Sequence, residues 1–278
     1  MTSELSLGRE RVNAAGWRAS LAEEARDVAD HKHLLKCLVM RDLTVRYKRS
    51  ILGFLWTMLN PLLMMVILTI VFSTIFRFAI EHYETYFLSA YLPWIYFSQT
   101  TVGAMLAMAW NGPLMKRVRI PKSIFAIAAV ISGMSNLLLS LLPLAIIMLV
   151  VGAPLRPALL FLPVSLLLLA LFTLGVSLGL SIVSVYFADV KEMYQVGVMA
   201  LMYLTPIFYP LDIIPGEFVW IIRLNPLRYL LEIVRDPIYH GRIPAASDIA
   251  ISALWAAAAM IGGWLAFRRL APDVYPHL

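Results

Sequence analysis

Six long uncharged runs alternate with short polar connections along this chain, at 54–76, 86–110, 123–151, 157–187, 193–210 and 249–267. None of them contains Asp, Glu, Lys, Arg or His. The hydrocarbon core of a bilayer is about 30 Å thick and takes about 20 apolar helical residues to cross. The pattern therefore predicts an all-α integral membrane protein with six transmembrane helices. Composition points the same way: 61% of residues are hydrophobic, 14% are charged and the mean hydropathy is +0.79, values outside the range of soluble domains.

Charge sets the orientation. The basic segment 41–49 runs straight into the first apolar run, and charged side chains cost several kcal/mol at the bilayer centre, so the chain leaves the cytosolic surface there. With the N-terminus inside, 17 of the 23 Lys and Arg residues fall on the cytosolic side and six outside. The net charge of +6 and the pI of 9.5 then reflect topology and contact with anionic membrane lipids, and nucleic acid is not implied. The first 33 residues lack the apolar core of about 7–15 residues that marks a cleavable signal peptide, so the N-terminus is expected to stay in the cytosol. Cys37 is the only cysteine, which excludes an intrachain disulfide, and reads as a small packing residue.

Two connections carry more than punctuation. Between the second and third runs, Asn111-Gly112-Pro113-Leu114-Met115-Lys116-Arg117-Val118-Arg119-Ile120-Pro121-Lys122 is bracketed by helix breakers and predicts two turns of helix on the cytosolic face. Leu114, Met115, Lys116, Arg117, Val118 and Arg119 then form a docking surface for a cytosolic partner, the alternative being a basic loop that only sets topology. Outside, residues 211–246 are too broken to span and too apolar for an ordinary loop. Asn225-Pro226 reads as an N-cap followed by proline at the first helical position, and a helix should run from there to about Asp236, before Pro237. Leu227, Leu230, Leu231 and Val234 recur on one face, while Arg228, Glu232 and Arg235 gather on another, where one carboxylate can serve two guanidinium groups. The expectation is a re-entrant helical hairpin with the trio as a charged collar, or as a solvated ion-pair network.

Energy coupling is missing. Ion-coupled carriers place ionisable residues inside their spans, and here there are none. Nor is there a G-x-x-x-x-G-K-[ST] phosphate loop, since no lysine follows a glycine. An embedded enzyme would need clustered carboxylates, histidines or metal ligands. The five histidines are scattered with no spacing that suggests a metal site, and Asp189 and Glu192 read as acidic residues at a helix N-terminus. A transporter that borrows its energy from a partner fits best, ahead of an enzyme or a channel.

Arg46-Tyr47-Lys48-Arg49-Ser50-Ile51-Leu52-Gly53-Phe54-Leu55-Trp56, followed by Asn60-Pro61, resembles the opening of the bacterial polysaccharide-exporting ABC transporter permeases, the membrane subunits for O-antigen, capsule and teichoic acid export. Leu92-Pro93-Trp94-Ile95-Tyr96-Phe97-Ser98, Val118-Arg119-Ile120-Pro121-Lys122, Thr205-Pro206-Ile207-Phe208-Tyr209-Pro210 and Asn225-Pro226-Leu227 continue the resemblance in order. One departure is Ala188, which stands before Asp189 where relatives usually carry arginine.

The resemblance implies a homodimer of permeases bound to two ATP-binding subunits. ATP and Mg would sit on those partners, with no cofactor in this chain. The cargo would be an undecaprenyl-diphosphate-linked polysaccharide, O-antigen first, moved from cytosol to periplasm across the inner membrane; teichoic acid, capsule, a small lipid or a drug are the alternatives. The division implied is a cytosolic extension 1–33, an interfacial helix 34–53, a transmembrane domain 54–270 containing the outer hairpin 211–246, and a cytosolic tail 271–278. Sugars stack on aromatic faces, so Tyr47, Phe54, Trp56, Tyr91, Trp94, Tyr96 and Phe97 are expected to line the path, with Arg228, Glu232 and Arg235 at its exit. An interfacial aromatic belt is the other use for such residues. The G-x-x-x-G spacing of Gly175 and Gly179, with Gly152, Gly262 and Gly263, predicts close helix packing inside one subunit.

Overall fold

The structure, a computed structural model, describes residues 21–47, 55–71, 80–118, 120–153, 156–272 and 274. Among them every regular element is helical. Before the apolar runs come α1 (Leu21–Asp30) and α2 (Lys32–Tyr47). The runs and their connections become α3 (Leu55–Thr69), α4 (Tyr83–Trp110), α5 (Gly112–Arg117), α6 (Ile124–Val151), α7 (Leu162–Tyr186), α8 (Asp189–Leu204), α9 (Val219–Leu224), α10 (Pro226–Arg235) and α11 (Ala246–Leu270).

Among the described residues, three segments are long and apolar enough to cross a membrane by themselves: Ile124–Val151, Pro157–Tyr186 and Ala246–Leu270. The first two flank α4, whose 28 residues rise about 42 Å at 1.5 Å per residue, and Ala246–Leu270 packs on the far side of α7. Helix α4 is less apolar than its neighbours because it packs inside them: Phe87, Leu88, Ala104, Met105 and Met108 are at most 1% exposed. Two apolar clusters mark the two ends of the bundle. One joins Phe87, Leu144, Phe208 and Leu230; the other joins Leu38, Met108, Met115, Ile124, Ile182 and Phe267.

The closest approach is between α7 and α11. A Cβ on Gly175 would meet the backbone of Ala259 and Met260, and one on Gly263 would run into the carbonyl of Gly175, so the two backbones touch where both residues lack side chains. The G-x-x-x-G pattern thus packs helices within one subunit, as expected. Gly152 closes α6 in the left-handed region, with φ 78°.

The fifth apolar run departs from its expected limits. Its helix, α8, starts earlier, at Asp189, with Asp189 and Glu192 in the first turn as the N-terminal dipole favours. It stops at Leu204, because Pro206 cannot donate to a further turn and biases Thr205 to extended backbone, φ −104°, ψ 134°. Residues 205–210 are irregular, and Thr205 to Phe208 are buried. Cys37 is also corrected: it is exposed on α2 rather than packed.

The segment 211–246 forms the expected helix. Asn225 caps α10 by accepting from the Leu227 amide at 3.0 Å, Pro226 takes the first position, and Leu227, Leu230, Leu231 and Val234 are all at most 2% exposed. Pro237 is absorbed in one π turn, Asp236–His240, closed by Gly241 at φ 62°. The cap also holds the chain together, since Asn225 Nδ2 donates to Thr205 Oγ1 at 2.8 Å. Asn225→Ala should therefore lower the thermal unfolding temperature in detergent by the loss of a cap, about 1 kcal/mol, plus that bond. Thr205→Val should keep the cap and cost less; equal losses in the two variants would contradict this division.

Candidate functional site

Irregular backbone buried in an apolar bundle must find its hydrogen bonds inside the protein, because no water is there to supply them. Residues 206–209 show how. Arg235, 3% exposed, donates from Nη2 to the carbonyl of Pro206 at 2.8 Å and to that of Ile207 at 3.4 Å. Tyr83 donates to the carbonyl of Phe208 at 3.0 Å and Tyr86 to that of Tyr209 at 2.9 Å. Four successive carbonyls are thus satisfied by three side chains from α4 and α10.

The buried guanidinium is itself compensated. Its Nη1 donates to Glu232 Oε2 at 3.2 Å, and its carbon lies 4.1 Å from the centroid of the Tyr86 ring. His240 approaches the other oxygen of Glu232 at 3.7 Å, and Arg242 donates to Asp236 Oδ1 at 2.8 Å. Burial works to raise the pKa of Glu232, but His240 and Arg235 outweigh it and hold the carboxyl below its ordinary value. At Asp236 burial prevails over the Arg242 bond and the pKa is raised.

The trio expected on α10 is therefore divided. Glu232 does pair with Arg235, but Arg228 lies over the Tyr229 ring, 5.0 Å from its centroid, and the second basic partner of Glu232 is His240. Arg235 is no collar residue, because its side chain points into the bundle to reach backbone carbonyls. The spacing also hid a grouping: Glu232, Asp236 and His240, four residues apart in turn, bring one ligand atom each within 4.8 Å of one another. Arg235 and Arg242 already engage the two carboxylates and oppose a dication there.

Near the other end, α2, α3, α4 and α6 line an open cavity of about 650 Å³. Its charged residues, Arg41 and Asp42, pair at 2.9 Å at one end, and Arg41 also donates to Asn111 Oδ1 at 3.0 Å. The walls also carry Asn60 and Gln99, which are exposed, half-buried Asn136, and buried Thr100, Ser132 and Ser140. Gly133 allows this geometry, because a Cβ there would overlap Thr100 Oγ1.

The aromatic residues expected to line a path are divided between the cavity and the helix packing. Trp56 and Tyr96 line the cavity. Trp94 and Phe97 are 3% exposed and pack inward, with Phe97 against Phe172 at 5.7 Å between centroids, and Tyr91 stacks on Phe87 at 4.6 Å. Trp94 and Phe97 fill space inside the bundle, whereas the Tyr91 contact lies within α4 itself, one turn from Phe87. The side chains of Tyr47 and Phe54 lie outside the described residues.

On the connection after α4, the expected two turns shorten to the six residues of α5. Met115 turns inward at 3% exposure, so it is a core residue rather than a docking contact; Leu114 is half-buried. Lys116, Arg117 and Val118 are exposed, and Arg119 lies outside the described residues.

The family model of the ABC-2 type transporter matches residues 33–239. The chain belongs to the ABC-2 type transporter family. Among curated proteins, this ABC-2 permease is 30% identical to an O-antigen export system permease protein RfbA of Klebsiella pneumoniae over 213 residues, covering 76% of this chain and 82% of that one. It is also 30% identical to the protein of the same name from Myxococcus xanthus over 244 residues, 84% of this chain and 94% of that one. As an ABC-2 permease, the chain is a membrane transport subunit, and the family implies work with a separate ABC ATPase.

The residues missed at the sequence level are uncharged. Asn60, Gln99 and Asn136 lie in runs searched for charge alone, although Ser132, Asn136 and Ser140, spaced by four, do form one polar stripe in the third run.

Proposed function

We propose that this ABC-2 permease exports O-antigen, as an undecaprenyl-diphosphate-linked polysaccharide, from the cytosol to the periplasm across the bacterial inner membrane. The observation that carries the reading is the match to O-antigen export permeases along 82% and 94% of their own lengths. It agrees with six apolar runs free of ionisable residues and with the lack of a phosphate loop, which together call for ATP hydrolysis elsewhere. Two permease copies work with two ATP-binding subunits; ATP and Mg belong to those partners and this chain carries no cofactor.

In this arrangement six spans cross the membrane with both ends cytosolic, 34–53 lies along the inner surface, and 211–246 dips into the outer leaflet as a hairpin. Lys116, Arg117 and Val118, exposed on one cytosolic connection, offer the ATPase a contact. Trp56 and Tyr96 remain the aromatic residues best placed to meet sugar. Arg228, partly exposed on the outer hairpin, is suited to a diphosphate, whose oxygens match the guanidinium fork.

Deleting the gene tests the cargo. Surface O-antigen should disappear, with the lipid-linked chain accumulating inside, and the tagged permease should restore it and retain an ABC ATPase in mild detergent. Surface O-antigen unchanged by the deletion would refute the cargo. Replacing Lys116 and Arg117 together by Glu should reduce ATPase recovery severalfold from a correctly inserted permease. For topology, in a Cys37→Ser background, cysteine at His82 or Arg242 should react with an impermeant thiol reagent in intact spheroplasts and cysteine at Arg117 should not. Labelling at Arg117 would overturn the orientation.

A further inference from the structure

Polar side chains on apolar helices are placed at a cost, so where they converge is informative. Three carboxamides on three helices meet the one cavity described above: Asn60 on α3, Gln99 on α4 and Asn136 on α6. On α6 the division of faces is clear. Ser132, Asn136 and Ser140 follow one another at a spacing of four along the cavity wall, whereas Leu138, Leu142, Ile146 and Leu149, 50–64% exposed, form the outer surface. Lipid explains the second stripe but not the first.

The lining has a definite chemistry. Among the described residues its charges are confined to Arg41 and Asp42, which neutralise each other. The remaining polar groups are carboxamides and hydroxyls, each amide offering two donors and an acceptor oxygen with two lone pairs. Ser132 Oγ is buried, with the residue 7% exposed, and has no hydrogen-bond partner among the described residues although it lines the cavity. Trp56, Tyr96 and Trp110 add flat apolar faces to the same walls. A volume of about 650 Å³ falls within the roughly 300–1,000 Å³ of small-molecule sites.

We propose that this cavity is a vestibule for neutral sugar residues of the glycan, approached from the end of the bundle marked by Arg41 and Asn111. Neutral amides and hydroxyls pair with sugar hydroxyls without the desolvation cost of a charge, and the rings give a pyranose face a surface to rest on. Among the described lining residues a phosphate would find no uncompensated cation, and an acyl chain would leave the buried Ser132 hydroxyl unsatisfied. The proposal rests on the export reading and adds to it a cytosolic-side site within each subunit.

The test uses the whole permease with its ATPase in cells. p-Benzoylphenylalanine is incorporated at Gln99 or Asn136 and, as an outer-surface control, at Leu142; the cells are irradiated and the permease is purified. The first two positions should give adducts that stain for periodate-oxidisable carbohydrate and vanish when glycan synthesis is blocked, while Leu142 should give phospholipid adducts only. In parallel, Gln99→Leu and Asn136→Leu should lower export severalfold when export is normalised to permease abundance, with ATPase recovery unchanged, because leucine keeps the side-chain volume and removes the amide from the cavity wall.

Phospholipid adducts alone at Gln99 and Asn136, in cells whose surface glycan depends on the permease, would overturn the vestibule and leave the export reading standing. Full export by both leucine variants would do the same. A surface glycan indifferent to deletion of the permease would instead remove the export reading, and the vestibule with it.

Discussion

Arg235→Met should leave little folded permease in the membrane. The substitution keeps length and apolar volume but removes every donor that Arg235 directs at the carbonyls of Pro206 and Ile207. It also takes from Glu232 its guanidinium partner at 3.2 Å, leaving His240 as the remaining basic group beside that carboxylate. Removing one member of a desolvated pair costs about 3–5 kcal/mol, and an orphaned buried carbonyl adds about 1–3 kcal/mol. Against a total stability of about 5–15 kcal/mol that is enough to unfold a substantial fraction. Abundance by quantitative immunoblot and monodispersity in detergent are the measurements.

Controls separate the parts of that effect. Tyr83→Phe and Tyr86→Phe each remove one donor from the same strip of backbone, so each should cost about 1–2 kcal/mol and leave the permease assembled. Arg235→Lys keeps the charge but replaces the planar fork with a single ammonium, and should fall between these and methionine. Glu232→Gln retains an acceptor for Arg235 and should be milder than Glu232→Ala. Wild-type abundance for Arg235→Met would show that water, rather than this side chain, serves residues 206 and 207.

Helix α10 was legible because its signals are local. Asn225, Pro226 and the leucine stripe lie within ten residues, and cap, first turn and buried face followed from them. What Arg235 reaches is not local: its acceptors are about 30 positions earlier, and only the fold brings Pro206 beneath α10. The charge pattern therefore identified the Arg235–Glu232 pair but gave Arg228 an equal share in it, which the Tyr229 ring claims instead. The aromatic residues of α4 show the same limit. Their spacing cannot tell a ring that faces a cavity, such as Tyr96, from one that fills a helix interface, such as Phe97. The cavity amides escaped because each is a single uncharged residue in a different run, and their meaning appears only when three helices bring them together.

Gly263→Val should be as damaging as Arg235→Met, by a different route. The β-carbon it introduces has no free volume: the atom it meets is the carbonyl oxygen of Gly175, with the carbonyl carbon and Cα behind it. Backbone in the middle of a helix cannot rotate aside as a side chain can, so α7 and α11 must separate along their shared length. In a bilayer the helices gain little from hiding apolar surface, and close packing of small residues is what holds them, so separation forfeits most of the contact energy. Gly262→Val is the matched control, one position along the same helix, where an added Cβ meets nothing within 4 Å. The Gly263 variant should lose abundance and export together while the Gly262 variant retains both, and Gly175→Leu should reproduce the loss from the other helix, since its Cβ meets the backbone of Ala259 and Met260. Equal export by the Gly262 and Gly263 variants at equal abundance would mean that α7 and α11 do not touch through these glycines, and the central packing of the bundle would have to be redrawn.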